Sequence, residues 1–274
     1  MDAKKLEKIE LQLLLETVYQ TYGYDFRQYA PASLKRRLWK RLREEKLRTL
    51  SGLQERLLHD GDCMERLLKD LSINVTEIFR DPPFYCAFRT KVVPALRTYP
   101  FVRIWHAGCS TGEEVYSMAI LLSEEGLLER ARIYATDFSE AALAQARKRI
   151  VRLEHMKEFT QNYLAAGGTR DFADYYTARY EGALFDKELM EHVVFSQHNL
   201  VTDGSFNEFN VILCRNVMIY FDRALQARVH ELLYDSLCVL GILGLGEKET
   251  IHGMPFEDRY ECLDAREKIY RKVR

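Results

Sequence analysis

Six cysteines, Cys63, Cys86, Cys109, Cys214, Cys238 and Cys262, are scattered through 274 residues with no C-x-x-C pair and no Cys/His cluster at metal-ligand spacing. This speaks against a zinc module or a disulfide framework and reads as the reduced thiols of an intracellular chain. No apolar run approaches the roughly 18 residues of a membrane-spanning helix. The opening MDAKKLEKIELQLLL carries no signal-peptide pattern and begins an amphipathic helix instead. A cytoplasmic location follows as the expectation, with any membrane association made through a partner. An excess of charge is also lacking: 40 Lys and Arg face 41 Asp and Glu, a net charge of -1. The chain as a whole is therefore not drawn to nucleic acid, and an electrostatic partner must be read by a local patch. There are no internal repeats and no low-complexity tract. No Ser-His-Asp or Cys-His set accompanies the motifs below.

What is present is an ordinary globular composition, 47% hydrophobic and 30% charged. The length suggests a core domain plus a smaller one. Residues 1 to about 90 read as helical. Leu6, Ile9, Leu13, Val18 and Tyr22 form a stripe that Gly23 ends, and Leu34, Leu38 and Leu42 form a second stripe after a Ser33 cap. From Lys35 to Arg48 there are eight basic residues against Glu44 and Glu45, including Arg36, Arg37, Lys40, Arg41 and Arg43. This is either a solvated face or a cationic docking helix. The segment Asn74 to Asp81 mixes polar Asn74, Thr76 and Arg80 with Val75, Ile78 and Phe79 ahead of Pro82-Pro83. It reads equally as a flap over a ligand or as capped core.

From about residue 101 the rhythm changes to strands separated by helices. Strands are expected at 102–106, 132–136, 209–214 and 242–245, helices at 113–125, after a Ser139 cap, and at 223–239, with a terminal hairpin from 260 to 273. That order predicts a doubly wound parallel sheet with an antiparallel edge. A tyrosine-rich stretch around Asp174–Glu181 lies in a connection too long for a simple loop. A small antiparallel β insert is expected there, at about 165–192.

The stretch Val102–Ser117, VRIWHAGCSTGEEVYS, reads as strand, glycine turn and helix. Gly108 and Gly112 leave room for a ligand against the backbone, and Asp137 ends the next strand 25 residues beyond Gly112, close to the roughly 20 expected of a ribose-binding carboxylate. Glu113 and Glu114 start the helix. They suit its dipole but would repel the pyrophosphate of a dinucleotide. An acidic helix start fits a cationic ligand such as S-adenosylmethionine, the alternative being that both glutamates only cap the helix. A dehydrogenase is the weakest of the rival readings.

These motifs together resemble the CheR-type chemotaxis receptor methyltransferases. The resemblance is carried by Asn74-x-Thr76 with Phe79-Arg80, by Ala107-x-x-Ser110-Thr-Gly-Glu-Glu114 with Tyr116-Ser117, by Ala135-Thr-Asp137, by His198-Asn-Leu200 and by Cys214-Arg-Asn-Val-Met-Ile-Tyr-Phe-Asp222. It implies a helical N-terminal domain at 1–90, then a Rossmann-like S-adenosylmethionine domain at 91–274 bearing the β insert. The implied activity is methyl esterification of glutamates on the acidic cytoplasmic helices of chemoreceptors. The implied cofactor contacts are Asn74, Thr76, Arg80, Glu113, Asp137, Asn199, Leu200, Arg215 and Asn216, which join Gly108. Tyr220 and a basic residue matched to Arg97 are implied near the transferred methyl. The receptor would be met by the basic helix 35–48 and the insert, by a monomer. Three positions depart from the family pattern: Val115 replaces proline, Arg149–Val151 replaces Gly-x-Tyr, and Gly246-Glu-Lys-Glu249 replaces Gly-His-Ser-Glu. A non-catalytic regulator of the same fold is the alternative, and a methyltransferase of small molecules or nucleic acid is a further one.

Overall fold

The computed structural model describes residues 2–71, 76–180 and 182–274. It divides into two compact units, Met1–Ile73 with Tyr220–Arg228, and Asn74–Ile219 with Val229–Arg274. The expected boundary near residue 90 is corrected to 73/74. The reason is packing: Ile78, Phe79, Phe84, Tyr85 and Phe88 are all buried in the core of the larger unit.

The smaller unit holds α1 (Ala3–Tyr22), α2 (Pro31–Glu44), α3 (Leu50–His59) and α4 (Gly61–Leu71). Gly23 closes α1 in the left-handed conformation at φ 76, which glycine adopts without a Cβ penalty. Ser33 is not the cap of α2. Pro31 occupies the first turn behind Ala30, where a missing N–H is harmless. Leu34, Leu38 and Leu42 are buried as their spacing requires, but so are Arg37 and Arg41 from the supposedly solvated face. Arg41 is paired with Asp70 and Glu45, Lys40 with Asp70, and Lys35 with Glu7. Much of the basic run therefore holds the helices together. The segment at Tyr220 joins this unit through Ala30 N–H donating to Tyr220 O at 2.8 Å and Asp222 N–H donating to Gln28 O at 2.8 Å.

The larger unit begins with α5 (Pro82–Ala87), a π-helical turn at Phe88–Val92 and α6 (Val93–Leu96). Then come β1 (Val102–Ala107), α7 (Glu113–Glu124), β2 (Ala131–Asp137), α8 (Glu140–Lys148), β3 (Ile150–Arg152), α9 (Met156–Ala165), β4 (Tyr176–Arg179), β5 (Gly182–Phe185), β6 (Val193–Gln197), β7 (Phe209–Cys214), α10 (Arg223–Ser236, of which the larger unit has the part from Val229), β8 (Leu237–Leu245), β9 (Tyr260–Asp264) and β10 (Ile269–Lys272). Among the described residues the main sheet runs β6-β2-β1-β7-β8-β10-β9. The pairs from β6 through β8 are parallel, and β10 is antiparallel to β8 and β9. Near-continuous burial of β1, β2 and β7 matches strands covered on both faces. The helix expected to reach 239 stops at Ser236, and the strand expected from 242 starts at Leu237.

The insert is a separate antiparallel sheet, β3-β5-β4. It starts earlier than expected, because Ile150–Arg152 directly after α8 supplies an outer strand. Glu124, at the end of α7, anchors the polypeptide leading into it: its carboxylate accepts from Tyr175 Oη at 3.0 Å and Thr169 N–H at 3.0 Å, and pairs with Arg89.

Candidate active site

β1 lies between β2 and β7, so the connections leaving β1 and β7 diverge at their carboxyl ends. That is the switch point at which open α/β sheets bind ligands. Ala107 ends β1 and the chain turns at Gly108, with φ 84. Its N–H and that of Cys109 both donate to Thr136 O at 2.8 Å. A Cβ on Gly108 would lie 2.6 Å from Val217 Cγ2, and one on Gly112, at φ 95, would lie 3.0 Å from Ala146 Cβ. Both glycines are therefore required by backbone conformation and by space.

Asp137 projects from the end of β2 and is buried. Ser110 N–H and Ser139 N–H each donate to its carboxylate at 2.9 Å. Burial pushes its carboxyl above the usual aspartate value, and the backbone N–H groups only partly offset this. Ser139 also caps α8 as expected, accepting from Ala142 N–H. Glu113 sits half-buried at the start of α7, where it accepts from Thr111 Oγ1 at 2.7 Å, and burial likewise raises its carboxyl. The turn thus faces two carboxylates and no cation on its own loop.

Glu114 is spent differently. His106 Nδ1 lies 2.9 Å from it, Arg215 Nη1 donates to it at 3.0 Å, and Arg215 Nη2 donates to Asp81 at 2.9 Å. Burial works against its charge, but His106 and Arg215 outweigh that and hold the carboxyl below its usual value. Arg215 also stacks 4.0 Å over the Phe84 ring. The Asp81 end of the polar segment is thereby locked to the end of β7. Phe79 N–H donates to Ser117 Oγ at 2.7 Å, so the same segment is tied to α7. Ile78 and Phe79 are core, while Thr76 and Arg80 are half-buried on either side. Asn74 lies outside the described residues.

After β6, His198 N–H donates to Asp137 O at 3.1 Å, which brings Asn199 and Leu200 to this edge. The Asn199 side chain accepts from Val201 N–H at 3.0 Å and stabilises its own turn. After β7, Asn216 adopts φ 62. The loop is held by a residue that sequence reasoning noted only as part of an altered tetrad, Glu249. Its buried carboxylate accepts from Asn216 N–H at 2.9 Å, Val217 N–H at 2.9 Å, Met218 N–H at 2.7 Å and Gly246 N–H at 2.7 Å. The signal available in the sequence was an acid four residues past the apolar β8 and three past Gly246, with Glu247 an equal candidate by position. His106 was also missed; its signal was a histidine inside an apolar strand.

One residue implied by the resemblance stands elsewhere. Arg97 follows α6, ahead of β1, and pairs at 2.8 Å with Glu125 beyond the end of α7. Its O accepts from Arg130 just before β2. It therefore belongs to the amino end of the parallel strands, and the expectation of a place at the transfer site is corrected. Tyr220 lies in the helical unit, where the Arg37 guanidinium covers its ring at 5.0 Å. Arg37 Nη1 is in turn fixed by donating to Leu71 O at 2.6 Å.

The thiols of Cys109 and Cys214 are pushed up by burial, which removes them as nucleophiles. Among the described residues no group of His, Cys, Asp and Glu is arranged to hold a metal. No described helix is long and apolar enough to cross a membrane.

The model of the CheR methyltransferase SAM-binding domain matches residues 74–269, and that of the CheR all-alpha domain matches residues 9–72. The methyltransferase Cher3 of Pseudomonas putida is 49% identical over 272 residues, spanning 99% of this chain and 100% of that protein. The chemotaxis protein methyltransferase of Salmonella typhimurium is 29% identical, covering 91% of this chain and 86% of its own length. That of Listeria innocua is 27% identical, over 85% and 87%.

Proposed function

This chain belongs to the CheR methyltransferase family, a family with an S-adenosylmethionine-binding domain, and on that premise we propose that it methylates glutamate side chains on the cytoplasmic helices of chemoreceptors. The observation that carries the reading is the acidic glycine turn at the switch point. Asp137 is fixed by backbone N–H groups and keeps acceptor capacity for ribose hydroxyls. Gly108 lets the chain make its left-handed turn at the end of β1, and Glu113 suits a cation where a phosphate would be repelled. These features fit S-adenosylmethionine, with Thr76, Arg80, Asn199, Leu200, Arg215 and Asn216 as the further residues that would hold it. When bound, that group supplies a methyl carbon made electrophilic by its sulfonium.

The protein has little proton chemistry to do. A glutamate of pKa about 4.3 is already ionised at neutral pH, so no general base is needed. Rate must then come from orientation and exclusion of water. Glu249 and the Glu114–Arg215–Asp81 chain fix the loops on either side of the turn. Tyr220 is assigned to steer the reacting groups by its hydroxyl, with Arg37 immobilising its ring. The acidic receptor helices would be met by the cations that α2 and the residues after it leave exposed, Arg36, Arg43, Lys46 and Arg48, and by the insert. The acting form in this reading is a cytoplasmic monomer.

The test is calorimetric titration with S-adenosylhomocysteine, followed by transfer of labelled methyl groups to receptor-enriched membranes, with Asp137→Ala alongside. Tight binding and base-labile labelling, both lost in the variant, are expected. Binding without transfer would favour a non-catalytic regulator of the same fold.

A further inference from the structure

His106, the last residue but one of β1, is fully buried. In the sheet it stands beside Ala135 of β2 and Leu213 of β7. An apolar side chain would suit that packing better, because the imidazole Nε2 is buried with no hydrogen-bond partner among the described residues. The other ring nitrogen is engaged: Nδ1 lies 2.9 Å from Glu114 Oε1. Glu114, whose carboxyl is held below its usual value, can only accept. Nδ1 therefore carries the proton, and Nε2 is left as a bare acceptor. Such an acceptor weakens the fold, so whatever His106 contributes comes through Glu114.

The two oxygens of Glu114 have separate partners. Oε1 faces His106, and Oε2 accepts from Arg215 Nη1 at 3.0 Å. Arg215 Nη2 is thereby left to Asp81, 2.9 Å away. A carboxylate facing a guanidinium alone favours the two-pronged pairing, with one oxygen on each terminal nitrogen. In that arrangement Glu114 would compete with Asp81 for Nη2. Losing Nη2 would matter, because Asp81 has φ 55 and Phe79, two residues earlier, has φ 52. Left-handed conformations of this kind persist only where neighbouring contacts enforce them. Phe79 is enforced by its N–H bond to Ser117 Oγ at 2.7 Å, and Asp81 by Arg215. Arg80 stands between the two, and Thr76 lies on the same segment.

We infer that His106 is a positioning residue for cofactor binding: by holding one oxygen of Glu114 it keeps Arg215 Nη2 on Asp81, and so fixes the strained Phe79–Asp81 segment that carries Arg80. The inference rests on the reading of Thr76 and Arg80 as residues that hold S-adenosylmethionine. His106 acts through Glu114, Arg215 and Asp81, and takes no part in the chemistry of transfer.

The test titrates full-length variants with S-adenosylhomocysteine in a calorimeter, each beside a thermal melt that shows a cooperative fold. His106→Asn sets an amide N–H where Nδ1 stood. His106→Leu fills the place and donates nothing, and His106→Gln keeps a polar group but sets its amide where Nε2 stood. His106→Leu, His106→Gln and Asp81→Asn are each expected to weaken binding by about tenfold, and His106→Asn by no more than about twofold. The double variant of His106→Leu with Asp81→Asn should bind like either alone, since both interrupt one chain of contacts. In methyl transfer to receptor-enriched membranes, His106→Leu should raise KM for S-adenosylmethionine and leave KM for the receptor unchanged. Undiminished affinity in folded His106→Leu, losses that multiply in the double variant, or His106→Asn as weak as His106→Leu overturns the inference. Should His106→Leu not fold, His106→Gln decides in its place, alone and combined with Asp81→Asn. Arg80→Ala separates the two possible failures. If it binds S-adenosylhomocysteine as the parent chain does, the reading of Arg80 is wrong and the inference falls with it. If it binds weakly while His106→Leu binds normally, only the role of His106 is lost. Coupled losses of affinity with no transfer by any version keep the inference and sink the receptor-methylation reading instead.

Discussion

Gly108, Asp137 and Glu249 make separable demands on the chain. Gly108→Ala places a Cβ 2.6 Å from Val217 Cγ2 at φ 84, and left-handed strain alone costs on the order of 1–3 kcal/mol. Chemical denaturation should report that loss together with weaker S-adenosylhomocysteine binding. Adding Val217→Ala should recover only the collision, because the backbone strain remains. Glu249→Gln puts an amide NH2 among N–H donors of Asn216, Val217, Met218 and Gly246. A destabilisation of about 2–3 kcal/mol is expected from buried donors left unpaired, with cofactor affinity falling as the loop loosens. Asp137 and Glu113 predict a pH dependence. Burial raises both carboxyls, so on acidification they protonate, and lose acceptor capacity, above the pH at which ordinary carboxyls do. Affinity for S-adenosylhomocysteine should fall in that window. Because the folded values lie above the unfolded ones, these groups stabilise the fold most below the unfolded pKa and lose that contribution as pH rises through the folded value. Melting followed beside calorimetry should therefore show that the acid loss of affinity is not unfolding caused by these groups.

In α2, one helix serves two purposes that its sequence does not separate. Leu34, Leu38 and Leu42 pack inward, but Arg37 and Arg41 are drawn in with them, since Leu71 O and Asp70 offer partners. Arg41→Ala leaves Asp70 buried with only Lys40 opposite it and should cost about 3–5 kcal/mol in denaturant unfolding. Arg36 and Arg43 are exposed, and reversing both should alter stability by no more than about 0.5 kcal/mol. If the receptor reading holds, the same double reversal raises KM at low salt and has little effect at high salt, where screening has removed the attraction. Identical KM values at low salt would take α2 out of receptor docking. Element α7 shows the opposite economy: two adjacent glutamates suit one helix dipole, yet Glu113 stays at the turn while Glu114 serves Arg215 and His106.

For the molecule as a whole, ligand and fold are linked through the larger unit. S-adenosylhomocysteine at about 100 times its Kd should stabilise that unit by about 2.7 kcal/mol. Asp137→Ala should remove the increment without removing the cooperative transition, a comparison that thermal melts with and without ligand make directly. The division at 73/74 sets what unfolds with what. Residues 76–90 belong with the sheet because Phe79, Phe84, Tyr85 and Phe88 have their partners there, although they continue the helical composition of the first unit.

The sequence determined whatever depends on spacing along the chain. Period and glycine placement give the strands β1, β2 and β7, the helices between them, the turn at Gly108 and the carboxylate at Asp137, because neighbours within one element fix their own geometry. The cofactor class followed from the same local logic, in the acid pair at the head of α7. Only the tertiary structure decided matters that join distant segments. Glu249 grips a loop more than 30 residues away in the chain, Arg215 bridges Glu114 and Asp81, and Arg97 falls to the far end of the strands. A basic run can be read from the sequence, but which of its charges are buried depends on acids and carbonyls from other elements. Periodicity carries no information about such partners, and desolvation and hydrogen bonding settle them only once the chain has folded.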